Sequence, residues 1–154
     1  MTDDEWKEAV VETLASRRRD PDGTIAKLSS LSRQATASER KFAGTWHATQ
    51  ALGVAAVILS ESGRHREAAS IFKRVAKLHE AVLRQHGHGL GSALAAASLE
   101  LFKAGQPEPA TRLAWESLRH FGTFPDPSSV HEQVIRELRA HLNKKARRGS
   151  RHAG

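Results

Sequence analysis

Nine histidines in 154 residues are the richest supply of chemistry-bearing side chains in this chain. Only His79, His86 and His88 cluster. Two histidines on one helix face ligate a shared ion when they stand three or four residues apart, and His79 and His86 stand seven apart. No His-Glu-x-x-His occurs, and with no cysteine there is no thiolate ligand, thiol nucleophile or disulfide. The three histidines therefore read as solvent-exposed helix-end residues favoured by the helix dipole, with no metal site. No phosphate loop, dinucleotide-binding glycine pattern or nucleophile elbow appears. Glu100 lies between Leu99 and Leu101, but adjacent helical residues do not share a face, so it is expected to point outward. Trp6, Trp46 and Trp115 would suit base stacking. Their spacing among leucines favours core packing instead. No catalytic residue and no cofactor emerges, and the chain reads as a non-enzyme.

The elements that position these side chains are helices. The composition holds 24 Ala and 15 Leu against 8 Val and 4 Ile, a balance that suits helices and not strands. Hydrophobic residues make up 39% and charged residues 27%, as in a soluble globular domain. The longest mostly apolar stretch, Ala51 to Leu59, is nine residues, so no membrane span is expected. The acidic Met-Thr-Asp-Asp-Glu start does not resemble a secretion signal, and a cytoplasmic protein is expected.

Seven helices are predicted. Thr2 and Glu5 form a capping box for the first, with Trp6, Val10 and Leu14 in a stripe and Arg17–Arg19 in the last turn. A second runs from about Thr24 to Gln34. The third is capped by Thr36 with Glu39 and ends at Ser62-Gly63. The fourth spans about His65 to His86 and is ended by Gly87, Gly89 and Gly91. The fifth, rich in alanine, covers Ser92 to Ala104. Gly105 stops it, and Pro107 or Pro109 opens the sixth, which runs to about Phe121. Phe121 and Phe124 are read as pinning the following turn. Ser129 with Glu132 caps a seventh, whose Val130, Val134, Leu138 and Leu142 repeat every four residues. The formal charge of +7 divides unevenly. Residues 1–143 carry 19 cations and 17 carboxylates. Residues 144–154 add Lys144, Lys145, Arg147, Arg148 and Arg151 with no acid, and read as a disordered basic tail.

A shift of 42 residues superposes two helix pairs without a gap: Leu52 on Leu94, Ala55 on Ala97, Val57 on Leu99, Leu59 on Leu101, Gly63 on Gly105, Ala68 on Ala110 and Ile71 on Leu113. The leucines suit a helix–helix seam, the glycine a left-handed C-cap, and the alanine a close crossing. Gly63-Arg64-His65-Arg66-Glu67-Ala68 followed by Phe72 resembles the tetratricopeptide repeat. Gly105-Gln106-Pro107-Glu108-Pro109-Ala110 follows that pattern less closely, with Ala114 where a large residue belongs. The repeat is longer than the family's usual 34 residues and lacks its terminal proline. An ordinary helical bundle is the competing reading.

The resemblance implies a single all-α domain over 1–143, a short stack of antiparallel hairpins with clearest repeats at 46–86 and 88–121, and a capping helix at 128–143. It also implies a groove that receives a partner peptide or helix. That groove would be lined by Gln50, Gly53, Val57, Ser60, Glu61, Ser92, Ala95, Leu99, Phe102 and Lys103. An adaptor or scaffold is therefore expected, with a homodimer open. The alternative is a nucleic-acid-binding accessory protein that uses the basic tail.

Overall fold

A computed structural model of the chain describes residues 1–82, 87–121 and 129–152. Among the described residues there are seven helices and no strand. They are α1 (Asp3–Leu14), α2 (Pro21–Thr36), α3 (Lys41–Glu61), α4 (His65–Val82), α5 (Gly87–Lys103), α6 (Pro107–Phe121) and α7 (Ser129–His152).

Local chemistry explains most of the boundaries. Thr2 Oγ1 accepts from the Glu5 amide at 3.2 Å and Glu5 Oε2 from the Thr2 amide at 2.6 Å, so the capping box closes from both sides. The same bonds hold the Glu5 carboxyl below its ordinary value. Asp20 caps α2 through the Gly23 amide, and Pro21 occupies its first turn, so this helix starts three residues before Thr24. The box predicted at Thr36 and Glu39 is absent. Thr36 instead ends α2 by donating to the Ser32 and Arg33 carbonyls, and α3 begins after Arg40 with no side-chain cap. Gly87 opens α5, whereas the sequence pattern predicts that the glycine run closes α4.

Two turns have the same construction. Gly63 and Gly105 take φ of 76° and 72°, the region open to glycine. The Arg64 amide reaches Leu59 O at 2.9 Å and the Gly63 amide reaches Ser60 O at 3.0 Å. Gln106 and Gly105 repeat the pattern to Leu101 O at 2.9 Å and Phe102 O at 3.1 Å. Each is a Schellman cap that folds the next helix back antiparallel.

Consecutive helices from α2 to α6 pack on one another, α1 joins α2, and α7 lies across α5 and α6. One core gathers Leu28, Ala48, Ala51, Ala55 and Ile58 under Trp6. A second holds Leu52, Val75, Ala76, Ala93 and Leu94 between α3, α4 and α5. Small residues set close crossings. Ser98 Oγ, buried in α5, donates to Ala110 O of α6 at 2.8 Å. A Cβ at Gly44 would stand 2.1 Å from the Ala35 carbonyl oxygen, so only glycine permits α3 to cross α2 there.

Candidate functional site

On α3 the spacing of Phe42, Trp46, Gln50, Gly53 and Val57 puts these residues on one face. Phe42 is 55% exposed, Trp46 47% and Val57 48%. Gln50 and Glu61 are exposed, and Gly53 and Ser60 half-buried. A side chain added at Gly53 would meet nothing within 4 Å. Of the residues expected to line a groove on α3, Gln50, Gly53, Val57 and Glu61 are therefore accessible, together with Phe42 and Trp46, while Ser60 is turned to Glu100. Reading Trp46 and Trp115 as core is corrected: Trp115 is 51% exposed, and only Trp6 is buried. The missed signal was Gln50, a polar residue one turn beyond Trp46 on the same face.

The α5 half is closed. Ala95 is fully buried, in a cluster with Ala114, Val134 and Leu138, and Leu99 and Phe102 pack against it. Ser92 is half-buried, and Lys103 is exposed. The reason is α7, whose Val134–Leu138 stripe needs an apolar surface and takes the alanine-rich face of α5. Ala95 is thus a packing residue and not a groove residue.

Glu100 is a second correction. It points inward, with 7% of its side chain exposed. Ser60 Oγ donates to Oε1 at 2.7 Å, His65 Nδ1 lies 2.7 Å from Oε2, and Lys103 Nζ lies 3.3 Å from Oε1. Burial pushes the carboxyl up, but the Ser60 and His65 hydrogen bonds and the Lys103 charge outweigh it, leaving Glu100 below its ordinary value. The Ser60 hydroxyl is bonded to the carboxylate and not to the imidazole, so this trio is not arranged as a nucleophile–base–orienter relay. It ties the end of α3 to the start of α4 and the end of α5.

Further ties link successive turns. Arg64 pairs with Asp22, and with Glu67 at 2.6 Å, which holds the Glu67 carboxyl down and the guanidinium up. Gln106, its amide oxygen towards Arg66, accepts from Nε at 2.8 Å and Nη2 at 2.6 Å. At the other end, His47 Nε2 lies 2.9 Å from Asp3 Oδ1, which lowers the Asp3 carboxyl. The Trp6 ring sits 5.1 Å from that of His47. These groups border a cleft of about 400 Å³ with Gln34, Arg40 and Gly44.

His79 is buried, contrary to the exposed reading, and its ring lies against Gly89, where a Cβ would meet Cε1 at 2.7 Å. His86 lies outside the described residues, as does the His88 side chain. Phe124 and the Phe121 side chain do too. Among the described residues no group of three His, Asp or Glu side chains is placed to hold a metal. The segment 144–152 continues α7 as a helix, with Lys144, Lys145, Arg147, Arg148 and Arg151 all exposed on it. α3 is long and apolar enough to cross a membrane by length and composition, which the nine-residue stretch does not suggest. Here 56% of that apolar window is buried against other parts of the fold.

Compared with protein-family models, curated proteins and solved structures, the chain matches none of them significantly.

Proposed function

We propose that this chain is a non-catalytic interaction module, resembling tetratricopeptide-repeat proteins, that receives a partner peptide or helix on the outer face of α3. The observation that carries the reading is the run of large exposed apolar side chains there, Phe42, Trp46 and Val57, around the open position at Gly53. Large apolar side chains grouped on one exposed helix face support an interaction site. A row of them four and more residues apart suits an amphipathic helix laid alongside, or an extended peptide gripped at intervals. The glycine leaves a gap in the row into which a partner side chain fits. Around this face the scaffold is rigid, because the Schellman turns and the Glu100 cluster lock α3 to α4 and α5. Gln50 and Glu61 supply polar contacts at its rim.

The test is capture from a native-host lysate by the full chain, by a Trp46→Asp/Val57→Asp variant, and by Trp115→Asp as an exposed control on α6. Proteins held by the wild type and by Trp115→Asp should be lost with the double variant. Equal retention by all three would overturn the reading.

A further inference from the structure

The turn that follows α1, the turn that follows α3, the end of α5 and the end of α7 meet on one edge of the molecule. α1 and α3 run in the same direction, since Asp3 meets His47 near their starts while Arg17 and Arg18 border a cleft with Ile58 and Ser62 near the end of α3. α3 and α5 do likewise, through Ser60 and Glu100 near their ends. So do α5 and α7, where the Phe102 and His141 rings lie 6.2 Å apart.

Basic residues gather on this edge from segments far apart in the chain. Arg17, Arg18 and Arg19 stand at its first corner, and Arg66 and Lys103 share a cleft at its middle. At the far corner a cleft of about 510 Å³ between Gly105, Pro107 and α7 is bordered by Lys144, Lys145 and Arg148. Arg147 and Arg151 follow on the same helix. The local carboxylates are largely engaged: Asp22 and Glu67 by Arg64, Glu100 by its cluster, and Asp20 as a cap. Arg17, Arg18, Arg19, Arg66 and the five cations in the last turns of α7, Lys144 to Arg151, are exposed, and none has an ion-pair partner among the described residues. Glu12, Glu61, Glu108 and Glu137 are carboxylates left beside them. Asp3, Asp4, Glu5 and Glu8 lie at the opposite end of α1, where Lys7, Arg40 and Lys41 accompany them.

We propose that this edge binds the phosphate backbone of duplex nucleic acid. α1, α3 and α5 are bridged by side chains and not closely packed on one another, so four helix ends at about 10 Å or more apart give a row of at least roughly 30 Å, which the end of α7 lengthens. A duplex of about nine base pairs covers that distance, with phosphates on both strands. Seven of these nine cations are arginines, whose fork matches phosphate oxygens two at a time, although Arg66 has one edge of its fork on Gln106. A single strand would want aromatic rings to stack on, and the exposed Trp46 and Trp115 are not on this edge. A membrane would want bulky aromatic or long apolar groups to insert, and the large apolar side chains exposed towards these helix ends among the described residues are Val11, Val57 and Leu142, none of them aromatic. The binding uses backbone charge alone, so it is indifferent to base sequence.

The proposal is independent of the α3 face. Its distinguishing claim is that Arg17–Arg19, more than a hundred residues from the α7 cations, act with them. The test is fluorescence anisotropy with two unrelated 24-base-pair duplexes across a sodium chloride series. The proteins are the full chain, a chain ending at Asn143, an Arg17→Gln/Arg18→Gln/Arg19→Gln variant, and the two changes combined. Both duplexes should bind the full chain alike. Each change should weaken binding at least about fivefold. Each should also flatten the slope of log K against log salt by about 0.9 for every phosphate no longer neutralised, with the combined protein showing both effects. Circular dichroism confirms that each protein is folded, and Arg18→Gln/Arg66→Gln replaces the triple variant if it is not. An arginine variant with wild-type affinity and slope would overturn the proposal. So would tighter binding to a 24-nucleotide single strand, to polyglutamate or to phosphatidylserine vesicles.

Discussion

Glu100 offers the sharpest test of how the helices are tied together. Replacing it with alanine removes the acceptor for Ser60 and His65, both at 2.7 Å, and opens a small void in a position only 7% exposed. A hydrogen bond to a charged group contributes about 1.5–3 kcal/mol. His65 is 27% exposed and regains water, which places its share at the low end, and Lys103, 55% exposed, adds little. The loss expected for Glu100→Ala is about 3 kcal/mol, or a fall in Tm of about 6–12 °C for a chain of this size. Glu100→Gln keeps the shape and one acceptor but turns an amide donor towards its neighbours, and should cost about half as much. The carboxyl lies below its ordinary value of 4.5 in the folded chain. Its stabilisation is therefore complete above pH 4.5 and is lost as the pH falls through the lowered folded value. Melting curves followed by circular dichroism at 222 nm, from pH 7 downward, measure this. The gap between wild type and Glu100→Gln should be widest at neutral pH and close on acidification. A Glu100→Gln protein that melts within one degree of wild type at pH 7, or a gap unchanged by acid, would refute the account.

Gly63→Val and Gly105→Val each force a β-branched residue into positive φ, and should each lose about 1–2 kcal/mol in urea unfolding. Gly44→Ala should lose about 2 kcal/mol or more, because its Cβ meets the Ala35 carbonyl, while Gly53→Ala in open space should gain about 0.5–1 kcal/mol. Ala95→Arg should unfold the chain or lower its stability by about 3 kcal/mol or more, by driving a cation between α5 and α7, and a folded Ala95→Arg protein with native Tm would return this residue to the surface. Ending the chain at Asn143 should leave Tm within about 2 °C, since residues 144–151 are all exposed.

The features legible in the sequence are those that depend on a few neighbouring residues. The Thr2–Glu5 box, the left-handed glycines at 63 and 105, the proline opening α6 and the number of helices all rest on bonds that span five residues or fewer. Chain-local chemistry decides them before any helix meets another. The candidate site was legible only on α3, where Gln50, Val57 and Glu61 lie on an outer face. The orientation of α5 was not legible. Alanine on most of its faces gives almost no preference for which side is buried, so Ala95 and Glu100 take the direction set by what arrives from elsewhere: the Val134–Leu138 stripe of α7 on one side, Ser60 and His65 on another. Trp46 and His79 obey the same rule in opposite senses, one outside because no helix covers it, the other inside because Gly89 leaves room for its ring. The alignment of Arg17–Arg19 with the cations of α7 is likewise a product of stacking alone. A helix face is buried or exposed according to its neighbours, and neighbours distant in sequence are brought together only by the tertiary fold.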